Sequence, residues 1–203
     1  LTEAFKQKNK DSILFYAADL GHYIGDAHVP LHTTVNYDGQ LTGQKGMHNL
    51  WEAAVPEIEL PQYNLYTSHT ATYQNSPQTA IWSAVRKGYN MVGFMLEAER
   101  NVSKNFTDAD KYEIKMWYGK ETKAYTLAFA KAYGLALKNT VNERLLESSS
   151  LIADFWYTAW VDAGKPDLSE FQNAALAQDL QKELNAFQQN TLVKDGFLRA
   201  LKR

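Results

Sequence analysis

The chain has 203 residues, 45% hydrophobic and 22% charged, an ordinary globular balance with enough length for a sizeable core. Its formal net charge of −2, with no basic block, excludes a protein that grips a nucleic-acid backbone tightly through Lys and Arg. The absence of Cys excludes disulfides and thiolate metal sites. No run of about 18 apolar residues occurs, so no transmembrane span is expected, and the opening Leu1-Thr2-Glu3 does not read as a signal peptide.

In chain order, residues 1–10 are polar and Lys-rich around Phe5 and read as the end of an exposed helix or a frayed terminus. Asp11 is placed to cap a helix with Ile13, Leu14, Ala17, Ala18 and Gly21 on its apolar face. Pro30 should kink or end that helix, because proline lacks the amide hydrogen and clashes with the preceding turn. Residues 33–46, with Asn36, Asp38-Gly39, Gly43 and Gly46, predict a loop in which Asp38 is a turn residue. Met47 to Val55 predicts a short helix stopped near Pro56, and 56–75 reads as irregular.

Ser76-Pro77 is a helix start, with an expected face of Ile81, Trp82, Val85, Tyr89, Val92 and Leu96 reaching about Val102. Thr107 should cap a long helical stretch through Ile114, Trp117, Tyr118, Tyr125, Ala128, Ala132 and Leu135. After a break around Asn139–Asn142, helical pattern continues to Trp160. Gly164 and Pro166 stop it, and Ser169 to Gln172 fits a capping box opening a last helix to about Asn190, followed by a short basic tail. The expected fold class is all-α. We expect one helical domain over 1–203, with chemistry at 22–52 and a helical scaffold at 76–190.

The chemistry concentrates in that first stretch. Four of the five histidines, His22, His28, His32 and His48, lie there. Asp26 and Glu52 each follow a histidine by four residues, which on a helix places both side chains on one face. His22/Asp26 and His48/Glu52 are thus two candidate pairs of nitrogen and oxygen ligands, with His32 between them. Such a set without thiolate suits zinc or a similar first-row ion. A single pair of this kind is more often an ion pair or a satisfied core histidine; two pairs in one short stretch of a histidine-poor chain favour metal. His28 reads as support for a ligand or packing against the Pro30 turn, His69 as surface, and Trp51 as core. Asp19 either accepts the second ring N–H of His22 or faces solvent.

The string His22-Tyr-Ile-Gly-Asp26-Ala-His28-Val-Pro30-Leu-His32, followed by Gly46-Met-His48-Asn-Leu-Trp-Glu52, resembles the zinc-dependent phospholipase C and S1/P1 nuclease superfamily. The later Trp156-Tyr-Thr-Ala-Trp160 to Leu168 segment is similar to the end of bacterial members. The resemblance covers about residues 12–168. It implies an all-α fold and a cluster of three zinc ions that hydrolyses phosphate esters, phospholipid or single-stranded nucleic acid. It also implies a secreted or periplasmic protein without a stable nucleic-acid complex. Carried onto this chain, His22 and Asp26 belong to the first zinc, with Asp26 bridging to the third. His32, His48 and Glu52 hold the second, which is the one complete site. Glu52 matches the phospholipase branch.

Family members also use ligands near their N-terminus, including a leading Trp and an early His. This chain opens on Leu1 and has no His before His22, so we expect a C-terminal portion of the family domain. The competing expectation is a non-catalytic helical domain, or an inactive fragment, that binds one zinc through His32, His48 and Glu52.

Overall fold

The computed structural model describes residues 1–117, 119–171 and 174–199. The fold is mostly helical, as the sequence pattern predicts. No helix among the described residues is long and apolar enough to cross a membrane. The chain forms two compact units. The first combines Leu1–His28, Asn64–Ala84 and Arg144–Leu198; the second is built mainly from Val29–Tyr63 and Val85–Glu143.

In the first unit, α1 (Thr2–Lys6) buries Ala4 and Phe5 and so is more than a frayed end. The cap of α2 (Lys10–Ala27) is Asn9, not Asp11: its side chain accepts the Ser12 N–H at 2.9 Å. The inward face of α2 is turned from the expected one. Ile13, Ala17, Leu20, Gly21 and Ile24 are among the sheltered positions, while Leu14 and Ala18 are exposed. Gly21 stands against Ile152 and Trp156 of α8 (Thr140–Asp162), and the Trp156 indole N–H donates to the Ala17 carbonyl at 3.0 Å. α2 ends at Ala27, before Pro30, as proline sterics require. Gly164, at φ +87°, follows the end of α8 as a left-handed stop. Ser169 opens a single 3-10 turn (Ser169–Phe171), its own N–H held by the Asp167 carboxylate at 2.9 Å, and α9 runs Ala174–Gln188. The expected capping box reaches Gln172, which lies outside the described residues.

The second unit carries a 3-10 turn (Pro30–Thr33), the 34–46 loop, α3 (Met47–Asn49), a π turn (Leu50–Ala54) and α4 (Val55–Glu59). It continues with the larger part of α5 (Pro77–Ser103), α6 (Asp108–Lys111), strands β1 (Tyr112–Trp117) and β2 (Lys120–Tyr125), and α7 (Leu127–Leu137). Its core includes Leu31, Met47, Leu50, Val55, Met95, Phe129, Tyr133 and Leu137, all nearly inaccessible. Each such side chain contributes roughly 1.5–3 kcal/mol relative to exposure.

Three expectations are corrected in this unit. Pro56 does not stop the helix. The register change after the π turn leaves it in the first turn of α4, where no amide hydrogen is needed. The buried residues of α5 are Ala84, Gly88, Val92, Met95, Ala98 and Glu99; Val92 of the expected face is among them, but Trp82 and Tyr89 lie outside it, 54% and 61% exposed. Small and aliphatic residues with Glu99, not the aromatic ones, form the sheltered face. The long helix expected after Thr107 is only one turn. Thr107 does cap it, accepting the Asp110 N–H at 3.2 Å, but the chain then turns into an antiparallel hairpin pairing Tyr112 with Tyr125 through Trp117 with Lys120. Tyr112, Ile114 and Met116 alternate with Glu113 and Lys115, a period of two that a strand satisfies and a helix does not. Gly119, at φ +75°, lies in the turn.

A buried polar network ties these pieces together. Glu99 on α5 accepts from Lys111 Nζ at 2.6 Å, from the Ser103 hydroxyl at 3.1 Å and from the Tyr125 hydroxyl at 3.1 Å. The Gln44 side-chain amide donates to the other Glu99 oxygen and to the Leu96 carbonyl. Burial pushes the Lys111 ammonium down, but hydrogen bonds to Glu99 and Tyr112 and the neighbouring charge outweigh it and raise it. Burial, then the charge of Glu99, raises the Tyr125 and Tyr133 phenols. Burial, then Glu59, raises that of Tyr63. For groups raised on folding, the stabilising contribution is complete below the unfolded value and is lost as pH climbs through the folded one. The unit is therefore expected to lose stability above about pH 10, where free Tyr and Lys titrate. Urea unfolding at pH 8 and pH 11 checks this, and equal midpoints would refute it.

Candidate metal centre

Two short elements of the second unit deliver three ligand atoms to one point. The 3-10 turn starts on Pro30. Leu31 is fully buried and pins the turn, so the next residue, His32, faces the partly open side. The His32 N–H donates to the Val29 carbonyl at 3.2 Å, and the Thr33 hydroxyl donates to the Pro30 carbonyl at 2.6 Å. On the α3 and π-turn segment, Met47, Leu50, Trp51 and Val55 are buried, which leaves His48 and Glu52 on the remaining face. Trp51 is core, as expected. Glu52 sits inside the π turn, a local widening that often accompanies functional sites.

His32 Nε2 lies 2.9 Å from His48 Nε2. The Glu52 carboxylate oxygen Oε2 lies 2.7 Å from His48 Nε2 and 3.6 Å from His32 Nε2. The side chains are 27%, 33% and 44% exposed for His32, His48 and Glu52, so the cluster is anchored on one side and reachable from the other. A hydrogen on His48 Nε2 points along one line and serves either His32 or Glu52. One cation serves all three lone pairs. The circle through the three atoms has a radius of about 1.8 Å, so a point about 2.0–2.1 Å from each, the usual zinc distance, exists just off their plane. The residues fit a zinc-sized ion. Among the described residues this is the one group of three His, Asp or Glu side chains with ligand atoms so converged.

The other candidates fall as follows. His22 and Asp26 do pair on α2, with Nε2 and Oδ2 3.5 Å apart and side chains 71% and 39% exposed. They form a two-ligand pair within the first unit. Asp19 is exposed. His28 is buried, with Nδ1 2.8 Å from the Ile24 carbonyl; a carbonyl only accepts, so Nδ1 carries the proton. The His28 carbonyl in turn accepts from Arg144 Nε at 2.8 Å, so this histidine packs the end of α2.

Sequence reasoning missed two features. Asp38 is more than a turn residue: its Oδ1 accepts the Gly46 N–H at 3.1 Å and the His48 N–H at 3.2 Å. His69 lies at the surface, as expected, but it has a partner the sequence did not show: its Nε2 is 2.8 Å from the buried Asp154 carboxylate, which also accepts from the Thr72 N–H and the Gln74 amide. This cluster holds the irregular 64–75 segment to α8, and Asp154 is 85 residues from His69. No family model, curated protein or solved structure matches the chain.

Proposed function

We propose that this chain is a zinc-binding phosphate-ester hydrolase. Its type is the zinc-dependent phospholipase C and S1/P1 nuclease phosphodiesterase, acting on phospholipid or single-stranded nucleic acid. The observation that carries the reading is the convergence of His32 Nε2, His48 Nε2 and Glu52 Oε2 with one side open to solvent. Three protein ligands with an accessible side are the pattern of catalytic zinc; structural sites are usually closed by four ligands, often Cys. When bound, zinc supplies a Lewis acid that acidifies water and neutralises phosphate oxygens.

The protein's own contribution is placement. His32 and His48 present neutral nitrogens and Glu52 one negative charge, which leaves a divalent ion a net positive charge for an anionic substrate. The chain itself has a net charge of −2 and no basic block, so metal ions would have to meet the phosphate charge that Lys and Arg do not. The resemblance assigns His22 and Asp26 to the first zinc, with Asp26 also bridging to the third. Their ring nitrogen and carboxylate oxygen lie 3.5 Å apart on one face of α2, which offers two ligand atoms.

A second reading, a non-catalytic domain holding one zinc, is favoured by the single three-ligand cluster among the described residues. Zinc content measured beside hydrolysis of single-stranded DNA and of a phosphatidylcholine analogue separates the two. More than one zinc with hydrolysis of either substrate supports the hydrolase. At most one zinc and no hydrolysis supports the binding domain, and absence of zinc uptake ends both.

A further inference from the structure

The triad requires His48 to start its helix in one orientation, although a loop of low regularity separates it from His32. The residue before α3 does not supply that control. Gly46 is the N-cap, at φ +100°, and has no side chain to bond the first helical amides. Those amides are orphan donors at any helix start. Here Asp38, across the loop, takes them. Its carbonyl accepts the N–H groups of Gly46 at 3.1 Å and Met47 at 3.3 Å, while Oδ1 accepts those of Gly46 and His48. A carboxylate on a backbone N–H is a charge-assisted bond, stronger than its neutral counterpart.

The rest of the loop is arranged around that residue. Gly39, at φ +74°, lets the chain reverse directly after Asp38; a Cβ there would strike the Gln44 carbonyl and come 2.9 Å from Met47 Cγ. The Asp38 N–H is itself held by the Gln40 side chain at 2.9 Å. On the other side of Asp38, the Tyr37 ring stands edge-on to the His48 ring, centroids 6.4 Å apart. By contrast Asn36, also buried, accepts the Leu41 N–H and donates to Thr42, and so acts only within the loop.

We propose that Asp38 is the positioning residue of the metal centre: through the His48 N–H it fixes the helix start, and so aims His48 Nε2 at His32 and Glu52. The role in metal binding rests on the reading of the triad as a metal site; the aiming of His48 does not. In the metal-free protein, Asp38→Ala is expected to speed hydrogen exchange at the His48 amide about tenfold or more, while the Gly46 amide keeps the Asp38 backbone carbonyl. It also weakens the NMR cross-relaxation between the His32 and His48 rings. Zinc affinity, titrated with the metal alone, falls about 10–100-fold, as for other residues that orient a ligand from behind. Asp38→Asn retains an oxygen acceptor and restores the exchange rate and most of the affinity. Asp38→Ser, which keeps a turn former while withdrawing the carboxylate, reproduces the loss if the alanine variant does not fold.

Asn36→Ala serves as the loop control: it cuts bonds that stay within the loop, and it changes the His48 amide and the zinc affinity less than Asp38→Ala does. The proposal is overturned if Asp38→Ala leaves the His48 amide and ring contact unchanged, or if Asn36→Ala weakens zinc as much. If the wild type takes up no zinc while Asp38→Ala still releases His48, the metal reading fails and the positioning role stands.

Discussion

His48→Ala and Glu52→Ala are expected to abolish zinc-dependent stabilisation of the protein while changing its metal-free stability little. The second half follows from exposure. Both side chains are partly open to solvent, and the neighbours that hold their helix in place, Met47, Leu50, Trp51 and Val55, are untouched. Substitutions at such positions usually stay within about 0.5 kcal/mol. The first half follows from linkage. An ion that binds only the folded chain adds about 2.7 kcal/mol when present at 100 times its dissociation constant. Each variant removes one of three ligand atoms that lie 2.7–3.6 Å apart, and two ligands cannot hold zinc at that concentration. The drop in affinity should exceed the roughly 10–100-fold seen when only a supporting group is lost.

Thermal unfolding with and without zinc, after chelation of the starting protein, reads both quantities at once. Two controls sharpen it. His69→Ala removes a histidine whose partner is Asp154 and should leave the zinc-induced shift intact. His22→Ala should also leave the shift from the triad intact, because its partner is Asp26. Unchanged zinc stoichiometry in both His48→Ala and Glu52→Ala would refute the assignment.

The triad was legible in the sequence because its chemistry is local. His48 and Glu52 are four apart, and four residues return to the same helical face even though a π turn replaces part of the expected α-helix. His32 was legible as a third ligand only as a neighbour in the chain, since nothing in its spacing sets its angle to His48. That angle comes from the 34–46 loop, whose Gly and Asn predicted a loop but not its closure. The grip of Asp38 on His48 spans ten residues, and that of His69 on Asp154 spans 85; both are bonds of the folded chain that no periodicity announces.

The hairpin shows a different failure. Ile114, Trp117, Tyr118 and Tyr125 fit helical spacing, yet the same segment alternates polar and apolar residues, and the shorter period prevailed. On α5 the eye is drawn to Trp82 and Tyr89, but close packing is available to Gly88 and Ala98, which have little side chain to keep neighbours away.

Glu99→Ala should destabilise the second unit strongly, by about 3–5 kcal/mol, the usual consequence of stranding one member of a buried ion pair. Lys111 would keep its charge with its 2.6 Å partner gone, and the Ser103, Tyr125 and Gln44 donors would lose an acceptor in the same place. Urea denaturation monitored by circular dichroism measures the loss, and a change below about 1 kcal/mol would show that water or rearrangement replaces the carboxylate. The double variant Glu99→Leu with Lys111→Met should recover part of it, because the uncompensated charge is then absent. Full recovery is not expected, since Gln44 still anchors the loop to α5 only through its bond to the Leu96 carbonyl, 2.8 Å long. This couples the core to the metal centre. Gln44 lies between Asp38 and His48 in the chain, and its own carbonyl receives the Tyr125 hydroxyl at 3.3 Å. Loosening Glu99 therefore loosens the loop that sets the angle between His32 and His48. The double variant should bind zinc more weakly than its regained stability alone would predict, because stability returns with the apolar packing while the loop's anchor does not.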